Sequence, residues 1–133
     1  MMVNEIVLNL HPLINLTGDE YYEFCRMNPD VKFERDKEGR LIIVPPTSGW
    51  SGNRNSKLTT RLETWASADG TGITFDSSTE FCLPNGAYRS PDASWITLER
   101  WNALTLEQQE TFPPIAPDFV VELRSKTDTT VSP

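Results

Sequence analysis

The chain contains one histidine, His11, and only two cysteines, Cys25 and Cys82, in 133 residues. Without a second imidazole, zinc centres built on several histidines are excluded as readings, and the place of His11 in an N-terminal arm argues against a Ser-His-Asp triad. The cysteines carry no metal-ligand spacing; they read as reduced thiols packed as small core residues in a cytoplasmic protein. No apolar run approaches the roughly 20 residues a membrane helix needs. The N-terminus lacks a basic segment leading into an apolar block, so a signal peptide is not indicated. Glycine-rich phosphate loops are missing too. Positive charge is also in deficit: 12 Lys and Arg face 19 Asp and Glu, a net charge of −7. Proteins that coat nucleic acid leave a basic footprint, which weighs against that class. A carboxylate-built metal site remains compatible, because a bound cation reverses the local sign.

What is present fits one soluble α/β domain able to bury roughly two-thirds of its unfolded surface. Residues 1–16 read as an N-terminal arm, and residues 17–133 as the domain. Thr17 and Glu20 have capping-box spacing, with Leu16 and Tyr21 placed for a hydrophobic staple. Tyr21, Phe24 and Cys25 continue at helical spacing until Pro29. Val31 and Phe33 alternate with Lys32 and Glu34 as a half-buried strand, and Asp36–Gly39 turns the chain into Leu41–Val44. A long helix is expected over 51–68, with Leu58, Leu62 and Trp65 on one face. Strands are then expected at Ile73–Asp76, Glu80–Leu83 and Ala93–Ile96, followed by a polar helical stretch over Glu99–Glu110, in one piece or two short ones. Pro113, Pro114 and Pro117 lead into Phe119–Leu123, which reads as a buried strand. Beyond Ser125 no covering element follows, so the domain is expected to be incomplete at its C-terminal end.

Alternation along that strand puts Asp118, Val120, Glu122 and Arg124 on one face and Phe119, Val121 and Leu123 on the core face. An acid among apolar neighbours is costly to bury unless a hydrogen bond, a cation or a metal compensates. Asp92 follows Pro91 at the mouth of another strand, from which its carboxylate can project toward the same place. Each acid also has a plainer reading. Asp92 can be a turn residue, Glu122 and Arg124 an exposed ion pair, Glu34 a solvated strand residue. Asp118, which also follows a proline, competes with Asp92.

Ser90-Pro91-Asp92 before an apolar strand, the run 116–125 containing Pro117-Asp118 and Glu122, and the segment 33–47 resemble a bacterial restriction-endonuclease-like family of the PD-(D/E)XK nuclease superfamily. The likeness extends from about Thr17 to Ser125. It implies a mixed β-sheet flanked by helices and Mg²⁺- or Mn²⁺-dependent hydrolysis of DNA. A second copy of the chain is a candidate partner. It also implies metal ligation by Asp92 and Glu122, with Glu34 as the additional glutamate. The pattern asks for lysine two residues after the second acid, where this chain has Arg124; Lys126 shares the strand parity. Arginine stays protonated and can only donate hydrogen bonds or neutralise charge. The rival is a catalytically inactive relative that binds nucleic acid or a protein partner, and a further rival is a structural or dimerisation domain.

Overall fold

A computed structural model describes residues 5–123 of the chain. Helix α1 (Gly18–Met27) begins at the anticipated capping box. Glu20 N donates to Thr17 Oγ1 at 3.1 Å, and Thr17 N donates to Glu20 Oε1 at 2.9 Å. Both satisfy backbone or side-chain groups that a bare helix start would leave unpaired. Tyr21, fully buried, then packs with Phe33 and Leu41, and Leu16 and Phe24 close around them.

Strands β1 (Ile6–Leu8), β2 (Lys32–Arg35) and β3 (Leu41–Val44) lie in one sheet. The β2–β3 turn works because Gly39 takes a left-handed φ of 83°, which costs glycine nothing. The Asp36 carboxylate accepts from the N–H groups of Glu38 and Arg40 and from Arg40 Nε. Helix α2 (Gly49–Asp69) starts earlier than expected. Ser48 caps it by accepting from Ser51 N at 3.2 Å, so Gly49, Gly52, Asn53 and Asn55 lie inside the first turns.

The remaining elements are β4 (Gly72–Asp76), β5 (Phe81–Cys82), β6 (Tyr88–Arg89), β7 (Ala93–Thr97), α3 (Leu98–Asn102), α4 (Leu106–Glu110) and β8 (Phe119–Val121). Gly72 is a close approach: a Cβ there would run into the Trp95 indole and the Ile96 carbonyl oxygen. The polar stretch after Thr97 divides in two because Thr97 caps α3 and Thr105 caps α4.

The α/β class stands, with a sheet architecture flanked by helices. The strands, expected in one mixed sheet, form two antiparallel sheets among the described residues: β1-β3-β2-β6-β5 and β4-β7-β8. A first core gathers around Tyr21 beneath the larger sheet, and a second joins Phe81, Ile96 and Ile115, with Phe75 and Trp101 against them.

Two further expectations change. Ile6–Leu8, read as part of an arm, adds an exposed edge strand to β3. Phe119, assigned to the core, is 50% exposed, because β8 is an edge strand and Val120 beside it is open as well. Among the described residues no helix is long and apolar enough to cross a membrane.

Candidate metal centre

The segment Ser90-Pro91-Asp92 carries the chain out of β6, in the five-stranded sheet, and into β7, in the three-stranded one. Pro91, buried, has no N–H to continue the β6 ladder, so pairing stops and the strand changes sheets. Acids from both sheets meet around this crossover.

From the larger sheet comes Glu34. It alternates with Phe33 on β2, so it points away from the Tyr21 core. Its side chain is only 13% exposed and its carboxylate is well satisfied. Arg89 Nη1 donates to Glu34 Oε1 at 3.2 Å, and Ser90 N donates to Oε2 at 3.0 Å. These charge-assisted bonds tie β2 to the start of the crossover.

From the smaller sheet come Asp92 and Glu122. The β7–β8 register pairs Ala93 with Val121 and Ser94 with Val120. Continued by one step past the ends of both strands, that register would set Asp92 across from Glu122. The Asp92 carboxylate also accepts from Leu123 N, fastening the end of β8 to the mouth of β7. Although Glu122 is exposed as a residue, partial burial of its carboxyl pushes it up to about 7. The negative charges of Asp92 and Glu34 push the same way, while Lys32 and Arg89 oppose them. The three acids thus share one electrostatic neighbourhood.

Asp118 goes elsewhere. It accepts from Thr97 N at 3.0 Å and pairs with Arg100 Nη1 at 2.9 Å. The Thr97 N–H and the Arg100 guanidinium hold its carboxyl below the usual range. It is a local clamp between β8 and α3. Arg124 and Lys126 lie outside the described residues. Among the described residues, no group of three or more His, Cys, Asp or Glu is gathered tightly enough to hold a metal ion by itself. The donor set on offer is the Asp92–Glu122 pair with Glu34 nearby.

Sequence reasoning missed four neighbours of this set. Lys32 shares Glu34's strand parity, a signal that was available; its Nζ donates to Ser77 O at 3.1 Å. Arg89 and Ser90 reach Glu34 from 55 and 56 residues away, which no local pattern reveals. Glu80 is buried and accepts from Tyr21 Oη at 2.7 Å and Ser90 Oγ at 3.4 Å. Burial pushes Glu80 up to about 7, and Glu34 adds to the effect.

Against known proteins, residues 19–131 match the family model described as "Uma2: Putative restriction endonuclease". No curated protein matches the chain.

Proposed function

The chain belongs to this restriction endonuclease family, and we propose that it hydrolyses DNA phosphodiester bonds with Mg²⁺ or Mn²⁺ held by Asp92 and Glu122. The supporting observation is the raised carboxyl of Glu122, pushed up to about 7 by burial and then by the charges of Asp92 and Glu34, next to a β7–β8 register that would set Asp92 across from Glu122 if carried one step on. Acids crowded in this way repel one another, and a divalent cation relieves that repulsion. Mg²⁺ keeps several waters and takes one or two carboxylates plus substrate phosphate oxygens, so a two-acid set fits it. When bound, such an ion lowers the pKa of its water and offsets charge developing on the phosphate.

The chain's own residues would do the rest. Asp92 is oriented by the Leu123 N–H, and Glu34 by Arg89 and Ser90, so neither needs to reorganise to meet a cation. Glu122, near its midpoint at neutral pH, must release its proton to ligate. Arg124 and Lys126 are proposed to neutralise charge on the scissile phosphate. Two free thiols, Cys25 and Cys82, support a cytoplasmic setting for the reaction.

Supercoiled plasmid incubated with the protein tests the reading. Nicked or linear DNA should form with Mg²⁺ or Mn²⁺, and EDTA, Asp92→Ala or Glu122→Ala should each prevent it. Plasmid left intact with either ion, or cut equally by both variants, contradicts it. The net charge of −7 favours one alternative, a non-catalytic member that binds nucleic acid or protein on this fold. That alternative predicts complex formation without any cleavage.

A further inference from the structure

Ser90 sits between two acids and holds both. Its N–H donates to Glu34 Oε2 at 3.0 Å, while its hydroxyl donates to Glu80 Oε1 at 3.4 Å. On its other side Glu80 accepts from Tyr21 Oη at 2.7 Å. Tyr21 is fully buried in the α1 core, so this end of the chain of bonds is anchored. A cavity of about 360 Å³ runs alongside, lined by Lys32, Glu80 and Ser90 among others. The Lys32 ammonium is engaged by Ser77 O rather than by the Glu80 carboxylate. Among the described residues, Glu80 has no ion pair within salt-bridge distance.

A carboxyl that is only 7% exposed and lacks a paired cation is a costly core component. Packing alone does not require it, since an apolar side chain would fill the space. What Glu80 supplies is acceptors for two hydroxyls that come from separate parts of the fold, α1 and the sheet crossover. The second of those hydroxyls belongs to the residue that grips Glu34 and stands two positions before Asp92.

We infer that Glu80 is a positioning residue for the metal centre: by holding the Ser90 side chain, it fixes the backbone that orients Glu34 and delivers Asp92 opposite Glu122. The inference rests on the metal-site reading above. The chain of bonds runs Tyr21, Glu80, Ser90, Glu34, and its effect on the ion passes through Ser90. Losing an outer hydrogen-bond partner of a ligand set commonly weakens metal affinity by 10- to 100-fold.

Calorimetric titration of Mn²⁺ into the full chain separates the outcomes. Glu80→Leu and Ser90→Ala should each weaken binding by about tenfold, and the double variant no more than the weaker single one. Glu80→Gln should stay within about threefold of wild type, because its oxygen accepts from Tyr21 and its amide donates to Ser90. Circular dichroism must show each variant folded. Should Glu80→Leu not fold, Ser90→Ala and Glu80→Gln decide the matter. Wild-type affinity in Ser90→Ala, additive losses, or a Glu80→Gln defect as large as that of Glu80→Leu would overturn the positioning role while leaving the metal site standing. No Mn²⁺ binding by the wild type overturns the site and, with it, the inference.

Discussion

Glu80 and Glu122 are both carboxyls that burial pushes up to about 7, yet only one of them was visible in the sequence. Glu122 stood out because an acid inside Phe-Val-Val-Glu-Leu needs a reason to be there, and Asp92 because it follows Pro91 at the mouth of a strand. Glu80 heads a short run, Glu-Phe-Cys-Leu, that could equally have faced water. Its burial comes from Tyr21, 59 residues away, and a contact at that separation leaves no periodic trace. The raised values have a consequence for stability. In the unfolded chain a glutamate titrates near 4.5, whereas folded Glu80 titrates near 7. Between those values the native state holds a proton that the unfolded state has released. Stability therefore falls as pH rises through this window and levels off above it. Tyr21 and Ser90, as hydrogen-bond donors, and the Lys32 charge temper the shift, while Glu34 enlarges it. Urea denaturation at pH 5 and pH 8 should show wild type losing about 2 kcal/mol more than Glu80→Gln across that interval. Parallel losses in the two proteins would mean that Glu80 is not a buried, titrating group.

Among elements, those with chemical end signals were the legible ones. The Thr17–Glu20 capping box located α1, and Asp36 with Gly39 located the β2–β3 turn. β5 falls inside the expected run Glu80–Leu83, whereas the two-residue β6 exists through the company it keeps in a sheet, and a run of two has no period to detect. β8 misled for a different reason. Phe119, Val120 and Val121 have strong strand preferences, which report compatibility with a pleated surface and say nothing about how many neighbours cover it. As an edge strand, β8 leaves Phe119 half in solvent, while Phe81, from a strand of only two residues, is fully buried. Phe81→Ala should accordingly cost about 3–5 kcal/mol in chemical denaturation. Phe119→Ser should cost under about 1 kcal/mol. Equal costs would place Phe119 in a core after all.

At the scale of the molecule, the chain passes between two antiparallel sheets three times, through α2, through residues 77–80 and through Ser90-Pro91-Asp92, and the acids gather at the last of these. The sequence pattern could supply the residue types and their strand parity. It could not supply the register, since Asp92 and Glu122 lie thirty positions apart and a slip of one residue would turn them to opposite faces. Nor did the net charge of −7 favour a nucleic-acid enzyme until a cation is included in the balance. The most direct test of the account is the thermal midpoint of the full chain at pH 7.5, with and without Mn²⁺, for wild type, Asp92→Asn and Glu122→Gln. Without metal, both variants should melt above wild type, since each removes a repelling charge. Mn²⁺ at one hundred times its Kd should then stabilise wild type by about 2.7 kcal/mol and leave both variants unmoved. An ion that shifts all three proteins equally, or none of them, would contradict a shared Asp92–Glu122 site.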